Sequence, residues 1–236
     1  DATIKLIAGD VRRLREPVYR DNRKVRTFGV AAEAGFEEKP FMEYHLYTLG
    51  RKSTINNNQV KQIEMMAPAI GVAVKKLYVY EWQKKADKVQ VKLEFENKKE
   101  NQLGIALPKG KVRVFKKDPA DGMLEFVGED AIDHTPRKEK ISLYIGNAFD
   151  IAAEHTVIDS KHSRRRRVES HKIELRNRKD EPVMVFVDEK FPAHVNWRIS
   201  NATGGYEKRD ARTVRFEVKL AADSTQQLQY TVTQTW

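Results

Sequence analysis

The chain has 236 residues, of which 40% are hydrophobic and 9% aromatic, and 44 Lys+Arg against 34 Asp+Glu give a net charge of +10. No apolar run reaches the roughly 18 residues of a membrane-spanning helix, and enough Val, Ile, Leu, Phe and Tyr are present to build a core, which excludes a helical membrane bundle and wholesale disorder. The absence of cysteine removes disulfides, thiolate metal sites and cysteine nucleophiles together.

The expectation is a soluble, globular chain of one large or two small domains. It opens at Asp1 without an initiator Met or a charged-then-apolar leader, as expected of a mature product or an excised piece. In chain order, Ile4-Lys5-Leu6-Ile7 before Gly9-Asp10 predicts a short strand and turn. Val25 to Val30 predicts a second strand, and Phe41 to Tyr47 a third in which aromatic and polar groups alternate. Gln59 to Met66 fits a helix through Val60, Ile63 and Met66, or a strand opposite Phe41–Tyr47 across the Asn56-Asn57-Asn58 loop; propensity favours the strand. Pro68 and Gly71 mark a boundary. Residues 1–75 are accordingly read as an N-terminal β-rich segment, either packed on the later strands or part of a truncated β domain, and 76–236 as a second domain.

Beyond that boundary the hydrophobic period is two. Val89, Val91, Leu93 and Phe95 alternate with polar groups, as do Val214, Phe216, Val218 and Leu220, and Leu228, Tyr230 and Val232. Each pattern is a strand with one wet face. Less regular strands are read at Leu77–Trp82, Val112–Phe115, Leu124–Val127, Ile141–Ile145, Ile173–Leu175 and Val183–Val187, the last apolar on both faces and so a candidate central strand. Pro119 with Asp121-Gly122 supplies the turn of a hairpin joining Val112–Phe115 to Leu124–Val127. Asp180-Glu181-Pro182, Gly204-Gly205 and Ala222-Asp223-Ser224 separate the later strands. This spacing predicts an all-β, immunoglobulin-like β-sandwich with additional N-terminal strands, in which functional groups fall on loops and edges.

Charge is the strongest departure from average composition. Between Lys161 and Lys179 nine Lys or Arg accompany two acids, so most of the excess positive charge lies in one short stretch. Arg164, Arg165, Arg166, Arg167 and Lys172 are the candidate anion-binding residues, because guanidinium forks grip phosphate or carboxylate in pairs of hydrogen bonds. The plainer reading is a solvated strand edge whose charges discourage edge-to-edge pairing. Sequence-specific nucleic-acid binding is not expected: the arginines lack a groove-reading helix, and no aromatic residue follows them until Phe186.

Other constellations are weak. The acids Asp118, Asp121, Glu125, Glu129, Asp130 and Asp133 lack the ligand spacing of an EF-hand loop. Six histidines, His45, His134, His155, His162, His171 and His194, form neither an HxH pair nor an HExxH helix, so neither a metal nor another cofactor is expected. Ser142, Ser160, Ser163 and Ser170 lie outside any Gly-x-Ser-x-Gly elbow. Asp133-His134 before Pro136 offers a carboxylate and an imidazole on one loop, although a side-chain hydrogen bond ordering that loop is the simpler explanation. Tyr78, Tyr80, Trp82, Trp197, Tyr206 and Trp236 are read as packing rather than a carbohydrate platform.

Several motifs together carry a family resemblance: Lys76-Leu77-Tyr78-Val79-Tyr80, Leu107-Pro108-Lys109-Gly110-Lys111-Val112, Asp121-Gly122, Ile132-Asp133-His134-Thr135-Pro136 and Gly146-Asn147-Ala148-Phe149-Asp150, with Tyr230, Val232 and Trp236 at the end. The chain resembles the bacterial domain of unknown function 4139, found in C-terminal regions similar to proteins of the mucoidy-inhibitor type. The resemblance implies a β-rich, exported, periplasmic or envelope-associated protein, with an N-terminal region preceding the domain; it brings no catalytic or ligand residues. The functional expectation is a noncatalytic binding or scaffold module that engages a protein or anionic polymer through loops and a basic edge. The alternative is a hydrolase-like enzyme with a loop site near Asp133 and His134.

Overall fold

The computed structural model describes residues 1–9, 27–28, 36–57, 60–61, 63, 65–84 and 87–236, with backbone alone at 27, 28, 60 and 61. The chain divides into two compact units: residues 1–73, 95–112 and 131–141 form one, and 74–94, 113–130 and 142–236 the other. No α-helix occurs among the described residues, and no helix there is long and apolar enough to cross a membrane.

The first unit contains β1 (Ala2–Ala8), β2 (Thr27–Phe28), β3 (Phe36–Phe41), β4 (Tyr44–Ser53) and β5 (Val60–Lys61). β4 pairs antiparallel with β1 on one side and β3 on the other. The strand predicted over Gln59–Met66 appears as β5, which pairs parallel with β2 and not with Phe41–Tyr47. The remainder of the strand predicted at Val25–Val30 lies outside the described residues, as do Asp10, Gln59, Gln62 and Glu64. Leu46, Tyr47, Leu49, Ala106 and Leu107 are buried. Asn97, fully buried, ties the later segments of this unit together: its amide donates to the carbonyls of Ile105 (2.7 Å) and Pro136 (2.8 Å), and its side-chain oxygen accepts from Gly104 N (2.9 Å). An apolar replacement would leave those groups unpaired, at about 1–3 kcal/mol each.

The other strands are β6 (Lys75–Tyr80), β7 (Lys88–Glu96), β8 (Gly110–Lys117), β9 (Leu124–Ile132), β10 (Lys140–Ser163), β11 (Arg166–Asn177), β12 (Val183–Lys190), β13 (Asn196–Ser200), β14 (Tyr206–Asp210), β15 (Thr213–Leu220) and β16 (Ser224–Thr235). Nine of them form one sheet, in the order β13-β16-β11-β10-β7-β6-β12-β15-β14. The expected hairpin is present as β8 and β9. Gly122 takes φ 77° in its turn, which glycine tolerates without steric cost. Asp118 and Asp121 accept from the backbone N–H of Ala120 and Met123, so these two acids build the turn. Among the described residues no group of three or more potential ligands is placed to hold a metal.

Within the second unit the alternating apolar residues close on one another. Tyr80, Ile173, Leu175, Val185, Val187, Val214 and Phe216 are fully buried in one cluster. Phe216 of β15 stacks on Tyr230 of β16 with ring centroids 4.8 Å apart, although these strands stand near opposite ends of the order. The sheet therefore folds over itself, producing the all-β sandwich that the alternation predicts. Its two outermost strands also meet. Trp197 Nε1 of β13 donates to the carbonyl of Ala211, just beyond β14 (3.0 Å), and Lys208 of β14 lies 4.5 Å over the same indole. Val183–Val187 is central as expected, with β12 lying between β6, in parallel register, and β15.

Candidate functional site

The arginine run forms the tip of the hairpin between β10 and β11. Ser163 is opposite Arg166 in the ladder, leaving Arg164 and Arg165 as the turn. Because β11 is flanked by β10 and β16, the run lies at a strand end and not along a sheet edge. Arg164, Arg165 and Arg166 are exposed and form no ion pair among the described residues, whereas Arg167 turns back to Glu169. Lys172 lies further down β11, half-buried and opposite Gln229 of β16. The fold also supplies an aromatic neighbour that chain order concealed: Trp236 N donates to the Arg165 carbonyl (3.3 Å), and Trp236 is 53% exposed.

Asp133 and His134 do not act as a pair. Backbone N–H of Lys109 donates to His134 Nδ1 (3.2 Å), while the exposed Asp133 carboxylate lies 3.8 Å from Lys109 Nζ. His134 instead borders an open concavity of about 410 Å³ within the first unit, together with Glu43, Tyr44 and His45. His45 Nδ1 lies 2.7 Å from Glu38.

The densest polar cluster was invisible to motif reading. His155 and His171 occupy the inward phase of β10 and β11, on the same side as Ile151 and Ala153 and as Ile173 and Leu175. Their rings meet through a 2.9 Å hydrogen bond between Nε2 of His155 and Nδ1 of His171, which needs one N–H and one bare nitrogen. Trp82 stacks on His155 at 4.2 Å, and His171 on Tyr230 at 5.2 Å. Beyond them Glu189, buried at the end of β12, accepts from Tyr230 Oη (2.6 Å), Trp82 Nε1 (2.6 Å) and Gln83 Nε2 (2.7 Å). Desolvation holds both imidazoles below their ordinary pKa, His171 at about 4, and pushes the Glu189 carboxyl up to about 7. The neighbouring Glu81 behaves oppositely. Burial works against its charge, but Lys190, Lys92 and Lys84 surround it at 2.8–3.2 Å and hold its carboxyl down at about 2.

Chemically, this cluster contains a carboxyl titrating near neutrality, but Glu189 is only 2% exposed and each of its oxygens is already hydrogen-bonded. It serves packing better than substrate. The Ser160–His162 contact (2.8 Å) also departs from nucleophile geometry. Glu169 accepts from the serine itself (3.1 Å), whereas an acyl-transfer triad places the carboxylate on the far nitrogen of the imidazole. A sequence signal for the buried cluster did exist, namely a histidine on the apolar phase of each of two strands, but their pairing depends on register. No family model, curated protein or solved structure matches the chain.

Proposed function

We propose that the chain is a noncatalytic binding or scaffold module of a bacterial exported or envelope protein, related to the domain of unknown function 4139 and working as immunoglobulin-like domains do, through loops and strand ends. Its partner is a protein or anionic polymer engaged by the basic hairpin tip. The observation that carries this reading is the exposure of Arg164, Arg165 and Arg166 at that tip without internal ion pairs among the described residues. Guanidinium groups left uncompensated in this way attract an anion from solution. Replacing Arg164, Arg165 and Arg166 with Gln, with Arg167 left on Glu169, will leave the circular dichroism spectrum and melting transition unchanged and will weaken retention on a sulfonated matrix at low salt. Retention equal to that of the unaltered chain rejects the reading.

The second reading, a hydrolase-like site, draws on the concavity that joins His134 to His45 and Glu43. Ester or amide hydrolysis by the purified chain that disappears in His134→Ala and persists in the arginine variant would favour it.

A further inference from the structure

We propose that the outward face of β10, β11, β16 and β13 binds a carboxylated polysaccharide; the proposal rests on the reading of the hairpin tip as an anion-engaging element and narrows its partner. Glu169, His171, Ile173 and Leu175 are buried on β11, so the alternate residues Arg166, Ser170 and Lys172 face the other way. Register extends that face across the neighbouring strands. Arg166 is opposite Thr235, Ser170 opposite Thr231 and Lys172 opposite Gln229. Thr233 is opposite Arg198 of β13. Ser170 and Thr231 share a hydroxyl–hydroxyl hydrogen bond of 3.0 Å, placing them on one side of the sheet.

Four strands at about 4.8 Å spacing make the face about 14 Å wide, and Arg166 to Lys172 spans about 20 Å along β11. Its chemistry is mixed: cations at Arg166, Lys172 and Arg198 stand among rows of hydroxyl and amide groups and Val168, while the acids that register places on the same face are compensated there, Asp159 by Lys161 (3.3 Å) and Glu154 and Glu174 by Arg176 (3.1 and 2.8 Å). Guanidinium forks match carboxylates, and Thr or Gln side chains exchange hydrogen bonds with hydroxyls as both donors and acceptors. A chain of acidic sugars presents those two groups in alternation along its length. Single-stranded nucleic acid is a poorer match, because its sheet-face binders stack bases on aromatic side chains, and these rows contain none. One exposed ring, Trp236, stands at the margin beside Arg165, where it can cover the apolar face of a sugar. An acidic peptide added as a further strand would pair along the outer edge of β13 or β14, so its binding would not depend on the hydroxyls of Thr231 and Thr233 on the sheet face.

The test uses the full chain, with polygalacturonate and oligo(dT) as probes, titrated by Trp fluorescence at about 0.15 M salt, where loose charge attraction is largely screened. Polygalacturonate will bind, and Arg166→Gln with Arg198→Gln will weaken it at least about tenfold. Thr231→Val with Thr233→Val, which preserves strand propensity, will weaken it about fivefold to tenfold. Oligo(dT) will bind more weakly and ignore the threonine changes. Equal or tighter oligo(dT) binding overturns the proposal in favour of nucleic acid. Polygalacturonate binding indifferent to the threonine pair also overturns it, leaving charge at the tip as the whole interaction. If no polyanion binds even at low salt, the reading of the hairpin tip fails as well, so the two failures are distinguishable.

Discussion

Glu189→Gln isolates a buried carboxyl whose hold on its proton the fold strengthens. The carboxyl is 2% exposed, and desolvation outweighs its three donors, moving its pKa from 4.5 to about 7. Below pH 4.5 it is protonated in the folded and unfolded chain alike, and its contribution to stability is complete. Between pH 4.5 and 7 the unfolded chain releases the proton while the folded chain keeps it, so stability falls as pH rises. An interval of about 2.5 pH units at about 1.4 kcal/mol each comes to about 3 kcal/mol. Glutamine keeps the shape and a carbonyl acceptor but cannot titrate. Whatever constant cost the substitution carries cancels when its stability relative to the parent is followed against pH. That relative stability should rise by about 3 kcal/mol from pH 4.5 to 7.5, with most of the rise complete by pH 7. Urea unfolding read by Trp fluorescence is the assay, because Trp82, Trp197 and Trp236 all belong to the second unit. A difference between parent and variant that is flat across this range would refute the argument that burial controls the group.

His171 tests the opposite limb. Its pKa is held down from 6.5 to about 4, chiefly by desolvation, so the stability it contributes is complete above pH 6.5 and lost as pH falls through 4. His171→Phe retains a ring between His155 and Tyr230, and urea titrations from pH 7 to 4 should show a shallower acid loss, by on the order of 2 kcal/mol after discounting for solvent screening; an unchanged acid limb would count against it. Gly128 has φ 159°, and a Cβ there would stand 2.7 Å from the Ile145 carbonyl oxygen. Gly128→Ala should therefore cost about 1–3 kcal/mol by thermal melting, and a neutral result would show that β9 can move away from β10 freely.

Much of the second unit was legible because side chains on a half-buried strand alternate. Val214, Phe216, Val218 and Leu220 are inward on β15 as their spacing requires, and Leu228, Tyr230 and Val232 likewise on β16. Asp121-Gly122 marked its hairpin because glycine accepts the backbone angle that the turn needs. The N-terminal strands were harder to place. Phe41–Tyr47 contained a two-residue reversal at Met42-Glu43, with Met42 at φ 55°, and a non-glycine residue in that conformation leaves no local signature.

The candidate site divides along the same line. Sequence alone determined that four adjacent arginines would concentrate charge and that the apolar residues would occupy one face of each strand, since both follow from neighbours in the chain. Tertiary structure alone decided that the arginines cap a hairpin beside Trp236, that His134 shares a concavity with His45, and that His155, His171, Glu189 and Trp82 meet in the interior. Those meetings join residues 16 to 107 positions apart, or, for Arg165 and Trp236, strands linked through register. Pairing between strands is a cooperative choice made by the whole sheet, and no local pattern of residues encodes it.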